Sequence, residues 1–145
     1  MMDIKRSGCY SPHRKNAEAL AQRLYHAIVL PTLDFSRSAS RIFIIAVADD
    51  AIPEVVDELV LPDDAILLHT SGSQPLELLR HAATPHTGVF YPLQTFSKNK
   101  KVEFGEIPIF VESDDRATEN VLLEMARAIS KKVNRITSAE RKGLH

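Results

Sequence analysis

Ile42-Phe43-Ile44-Ile45-Ala46-Val47-Ala48-Asp49-Asp50 joins an unbroken apolar run to two acids. The run is short, uncharged and rich in β-branched residues. Ile42 to Val47 therefore reads as a strand buried on both faces, as in a parallel sheet. Ile52, Val55, Val56 and Leu59 follow at the spacing of one helical stripe, and either Asp49 or Asp50 suits the cap of that helix. Pro53 falls in the first helical turn, where amides are unpaired anyway. A strand followed by a helix is the repeating unit of an α/β sheet.

The same unit recurs downstream. Pro62-Asp63-Asp64 reads as a turn and Ala65 to His69 as a second strand. Ser73 stands where it would cap a helix opened by Pro75, with Leu76 and Leu79 inward. Thr87 to Tyr91 is a third strand, ended by Pro92. Ile107 to Val111 is a fourth. Ser113 suits the cap of the longest helix, Asp114 to Lys132, whose acidic start and basic end match the helix dipole. Its inward stripe is Leu122, Met125, Ile129 and Val133. Upstream, Ala17, Leu20, Ala21 and Leu24 form another amphipathic helix. It lies between Gly8-Cys9-Tyr10, read as a strand end, and the apolar run Ala27 to Leu30. The expected fold is α/β, a mostly parallel sheet with helices on both faces. A dinucleotide-binding domain opens with a strand and a G-x-G-x-x-G turn. Gly8 is the only glycine before Gly72, so that phosphate cradle is absent and the sheet is expected to be incomplete at its N-terminus.

With 145 residues, 44% of them hydrophobic, the chain suits one domain with a core. Eighteen Lys and Arg against 19 Asp and Glu leave a net charge of -1, which offers nothing to nucleic acid or an anionic membrane. The single cysteine, Cys9, rules out an intrachain disulfide and a cysteine-based zinc site, and it reads as an inert strand residue in a reducing compartment. His81, His86 and His145 share no metal spacing, so no metal is expected. Met1 to Gly8 lacks the apolar core of a signal peptide, and Ile42 to Ala48 is too short to span a bilayer. The expectation is a soluble, cytoplasmic protein.

Five strings then occur together in order: Ala46-Val47-Ala48-Asp49-Asp50-Ala51-Ile52, His69-Thr70-Ser71-Gly72-Ser73, Gly88 to Ser97, Ile107-Pro108-Ile109-Phe110, and Ser138 to His145. The set resembles a bacterial family of Rossmann-like proteins with a C-terminal helical domain of unknown function. That family is similar to pyrroline-5-carboxylate reductase, prephenate dehydrogenase and deazaflavin-dependent NADP reductase. The resemblance covers nearly the whole chain, and Tyr91-Pro92-Leu93-Gln94-Thr95-Phe96-Ser97 is its most specific part. It implies that residues 1–137 are a partial NAD(P)-binding domain lacking the first strand and glycine-rich turn. Residues 138–145 would then begin a truncated helical domain, through which the parent would be a homodimer. In such a sheet the first strand lies between the second and fourth. Without it, Gly8 to Ser11 and Ile42 to Val47 should either pair directly or leave an open edge.

The implied activity is NADP-dependent oxidoreduction of a small carbonyl, imine or hydroxy-acid substrate. The alternative is a non-catalytic ligand-binding or interaction module that has lost its cofactor site. Ser11 and Arg14 follow the second strand, where a basic residue accommodates the 2′-phosphate of NADP and an acid would favour NAD. Val47, Ala48 and Asp49 follow the next strand, where small residues let a cofactor approach. Ser71, Gly72, Ser73, Tyr91, Gln94, Thr95 and Ser97 are candidate substrate contacts. His69, Ser71 and Tyr91 are candidate catalytic groups, Tyr91 as a proton donor. A Ser71–His69 nucleophile pair lacks both a G-x-S-x-G setting and an orienting acid.

Overall fold

A computed structural model describes residues 8–23, 28–29, 31–93 and 103–144. Strand β1 (Gly8–Cys9) pairs in parallel with β2 (Ile28–Val29), and helix α1 (Arg14–Arg23) lies between them in sequence. A separate five-stranded sheet holds β3 (Ile42–Ile45), β4 (Ile66–His69), β5 (His86–Pro92), β6 (Ile109–Glu112) and β7 (Val133–Arg135), side by side in that order. All neighbours are parallel except β5 and β6. The helices of this part are α2 (Ile52–Glu58), α3 (Arg116–Ile129) and α4 (Ser138–Leu144). The chain is therefore α/β with a mostly parallel sheet and helices on both faces, as the sequence predicts.

Alternation along the strands builds two apolar layers. Phe43, Ile45, Leu67 and Val89 face one side, where α2 contributes Ile52 and Val56 and a 3-10 turn (Leu76–Leu79) contributes two leucines. Ile66, Leu68, Phe90, Ile109 and Val111 face the other, against Leu122, Leu123 and Ala126 of α3. Every residue of β4 is buried, so its apolar run carries no alternation. Gly88 lets α3 approach: a Cβ there would lie 2.6 Å from Leu122 Cδ1 and 3.0 Å from the Glu112 carbonyl oxygen.

Several local expectations are corrected. The fourth strand is antiparallel and runs Ile109–Glu112 rather than Ile107 to Val111. The long helix stops at Ile129, because Ser130 is extended and the chain turns back into β7. Val133 is thus a strand residue, Ile129 is 45% exposed, and the buried helix face is Thr118, Leu122, Leu123 and Ala126. Asp115, not Ser113, caps α3, accepting from the Thr118 amide at 3.3 Å, while the Ser113 hydroxyl donates to the Thr87 carbonyl at 2.7 Å. Neither Asp49 nor Asp50 caps the helix that follows, which opens as a 3-10 turn from Ala48. Ser73 caps nothing, and the segment after Pro75 closes as a 3-10 turn instead of an α-helix. The stretch expected to be buried on both faces is an edge: β3 pairs with β4 alone among the described residues, leaving Ile44 52% and Val47 37% exposed. β1 and β3 do not pair with each other, so of the two outcomes expected without a first strand the open edge at β3 is the one found among the described residues. Among the described residues, no helix is long and apolar enough to cross a membrane.

Candidate functional site

The C-terminal ends of β3 and β4 are tied together. The Ser73 hydroxyl donates to Asp49 Oδ2 at 2.7 Å, joining a predicted cofactor contact to a predicted substrate contact. Between them the His69–Ser73 loop is locked from within. The Ser71 amide donates to His69 Nδ1 at 3.0 Å, so the ring proton sits on Nε2 and is donated to the Pro75 carbonyl, 3.1 Å away. His69 is completely buried, and burial holds its pKa below the ordinary value near 6.5. The Ser71 hydroxyl accepts from the amides of Ser73 and Gln74 at 3.2 and 3.0 Å, a side-chain-closed turn with Gly72 inside it. Ser71 thus presents its amide, not its hydroxyl, to the imidazole, which is not the geometry of a nucleophile and its base.

A second clamp comes from a residue the sequence reading did not single out. Arg141 is completely buried on α4. Its Nε donates to the Ser71 carbonyl at 3.1 Å, Nη2 to the Gln74 carbonyl, and Nη1 to Glu112 Oε1 at 2.5 Å. Glu112 also accepts from the Ser138 hydroxyl at 2.7 Å, and that hydroxyl accepts from the Leu76 amide at 3.1 Å. The local signal for α4 is Thr137-Ser138-Ala139-Glu140, a capping box. The Thr137 amide donates to Glu140 Oε2 at 2.9 Å, and the Glu140 amide to the Thr137 hydroxyl at 3.2 Å. The Thr137 amide and hydroxyl, both donating to Glu140 Oε2, lower the Glu140 pKa. No local pattern marks Arg141, whose partners lie 29 to 70 residues away.

Residues after β1 and along β3 line one cavity of about 740 Å³. It brings together Ser11 and Val47 of the predicted cofactor set, with Tyr10, Asn16 and Ala46. Arg14, Ala48 and Asp49 are not on its lining. Arg14 lies exposed on the first turn of α1, its Nε 2.9 Å from Glu18 Oε1. Tyr91 is half-buried in β5 and packs against the core layer that contains Val89. Gln94, Thr95 and Ser97 lie outside the described residues. A second cavity of about 330 Å³ is rimmed by Glu112, Asp114, Glu119, Arg135 and Glu140 and holds none of the predicted residues. No group of metal-ligating side chains occurs among the described residues.

Tested against a nicotinamide dinucleotide, the donor set fits in part. Ser11 lies on the lining, Arg14 is a cation of the kind a ribose phosphate takes but lies off the lining and is paired with Glu18, and Ala46 and Val47 present small or apolar surface at the neighbouring strand end. A pyrophosphate needs backbone amides at a glycine-rich turn, and the sequence has no such turn.

A mostly parallel sheet between helical layers, with a cavity reaching past its strand ends, defines a Rossmann-like α/β fold. Solved structures agree. A candidate NADP oxidoreductase from Bacteroides fragilis is 31% identical, with a TM-score of 0.79 over 96% of this chain and 54% of that one. Prephenate dehydrogenase from Aquifex aeolicus, solved with hydroxyphenyl propionate and NAD+, is 9% identical with a TM-score of 0.76 over 92% and 51%. An imine reductase from Myxococcus stipitatus with NADP+ is 13% identical with a TM-score of 0.66 over 96% and 50%. The chain spans about half the length of each. The sequence matches no protein-family model and no curated protein.

Proposed function

We propose that this chain is the nucleotide-binding part of an NADP-dependent oxidoreductase acting on a small carbonyl, imine or hydroxy acid. The observation that carries the reading is the shared cavity: the residues past β1 and those along and just past β3 line one cleft, which reaches the strand ends where such sheets bind ligands. The 31% identity to the Bacteroides protein supports the same reading. The chemistry a nicotinamide dinucleotide supplies is hydride transfer. Ser11 and Arg14 take the ribose 2′-phosphate. Ala46 and Val47 line the approach toward the reacting end, Ala48 and Asp49 follow them at the strand end, and the loop held by His69 and Arg141, with Tyr91 and the segment after it, receives the substrate. Engaging a phosphate requires Arg14 to leave Glu18. That exposed pair is worth only about 0–1 kcal/mol, less than a charge-assisted bond to phosphate returns.

Adenosine 2′,5′-bisphosphate tests this directly, because it needs no pyrophosphate cradle. It should bind this chain more tightly than adenosine 5′-monophosphate. Arg14→Ala should abolish the difference, and Glu18→Gln should enlarge it. Equal binding of the two nucleotides by the unaltered chain would remove Ser11 and Arg14 from the site. NADPH itself should bind no better than the bisphosphate, for want of the cradle.

A further inference from the structure

We infer that Arg141 is a positioning residue: from α4 it fixes the turn that carries Ser73 and, through Ser73, the place of the Asp49 carboxylate past the end of β3. That both ends of this link belong to a nucleotide and substrate site rests on the function proposed above. The link itself is geometric. The Ser71 and Gln74 carbonyls stand at the two ends of the turn, and both accept from the one guanidinium. Within the turn the Ser71 hydroxyl accepts the Ser73 and Gln74 amides. The Ser73 hydroxyl reaches across to the neighbouring strand end, donating to Asp49 Oδ2 at 2.7 Å. The guanidinium is anchored by Glu112 of β6, which also accepts from the Ser138 amide at 2.8 Å and from its hydroxyl. Hydrogen bonds and one short turn thus connect α4 to the end of β3.

Stability alone does not account for this choice of residues. Arg141 and Glu112 both lose most of their water, with side chains 1% and 14% exposed. That loss offsets much of their attraction, and an apolar pair of similar volume holds a helix on a sheet as well. An apolar pair cannot aim a carbonyl. The planar fork of an arginine holds several acceptors in fixed relative directions. Arg141 is completely buried, so it meets no ligand itself and acts through the turn. By reciprocity, a change at Asp49 is felt at α4 as much as a change at α4 is felt at Asp49.

Hydrogen exchange and carbon NMR of the full chain, with no nucleotide added, test this. Ser73→Ala cuts the far end of the link. The Leu76 and Ser138 amides report the docking of α4, since one donates to the Ser138 hydroxyl and the other to Glu112. Their exchange should quicken by about fivefold or more relative to the Ile66 and Ile109 amides, which donate to backbone carbonyls at the sheet. Arg141→Ala cuts the near end. It should quicken exchange at Ser73 and Gln74 by a similar factor over Ile66 and Ile109, and move the Asp49 carboxyl carbon resonance. Ethylguanidinium, the group that substitution removes, should restore both. Ethylammonium at equal concentration should restore neither. Where Arg141→Ala does not fold, Ser73→Ala decides by itself. Unchanged exchange at Leu76 and Ser138 in Ser73→Ala would overturn the inference. Equal acceleration of turn and sheet amides in either variant would do the same, reducing the network to ordinary stabilising contacts. So would an unmoved Asp49 resonance in Arg141→Ala, or equal rescue by ethylammonium. A chain that fails to bind NADP+ would sink the proposed function and leave these outcomes to judge the link.

Discussion

His69 and Arg141 hold the same loop by different physics. His69 does so as a neutral ring, donating from one nitrogen and accepting at the other. Because burial lowers its pKa from about 6.5, the unfolded chain binds this proton at a pH where the folded chain does not. Stability should therefore fall as pH drops below about 6.5, toward the lower folded pKa. Urea titrations of the native chain and His69→Gln at pH 7.5 and 5.5 would show it: the variant should lose less stability on acidification. An equal loss in both would place the titration elsewhere. Arg141 acts as a charge. Arg141→Ala leaves the half-buried Glu112 and the Ser71 and Gln74 carbonyls without their partner, which should cost about 3–5 kcal/mol. Arg141→Lys should recover little, since one ammonium cannot reach two carbonyls and a carboxylate in a fixed fork. Chemical denaturation of the two variants decides this, and full recovery by lysine would reduce the contact to simple charge pairing. Neither role was legible in the sequence. His69 was read as a candidate catalytic group at a strand end, not as the neutral brace of its own loop, and the partners of Arg141 are distant in the chain.

Among the elements, strands and helices with strong apolar patterns were legible and their ends were not. β4 and β5 were read correctly because continuous apolar runs flanked by turn residues have few other uses. β7 was missed because Val133-Asn134-Arg135 carries one apolar residue and follows a helix with no break at its end. The expected cap at Ser113 failed because its hydroxyl is drawn to a carbonyl of β5, leaving Asp115 to cap α3. Hydrogen bonds from Thr118 and His86 lower the Asp115 pKa. Its contribution is present above the ordinary carboxylate range and is lost as pH falls through the lowered folded value. Asp115→Asn should therefore flatten the acid limb of helix loss followed by circular dichroism, and an unchanged limb would contradict the cap. Packing of α3 on the sheet rests on Gly88. Gly88→Ala should destabilise by about 1–3 kcal/mol through overpacking against Leu122. A neutral or stabilising result in thermal melts would mean that the helix can shift at no cost.

At the scale of the molecule, the sheet order explains why the first string quoted was both informative and misleading. Its composition identified an α/β strand correctly. The same composition predicted cover on both faces, and the described fold leaves that strand at an edge. The cofactor residues were legible only as positions after strands. Ser11 and Val47 share the cavity, while Arg14, Ala48 and Asp49 lie off its lining. The claim at stake is that the cleft past β1 and β3 receives a nicotinamide dinucleotide. Chemical-shift mapping of NADP+ on the labelled chain tests it most directly. The predicted result is a weak interaction whose shifts concentrate in Tyr10 to Asn16 and Ala46 to Asp49. Shifts confined to the acid-rimmed cavity near Glu112 and Glu140, or none at millimolar NADP+, would contradict it.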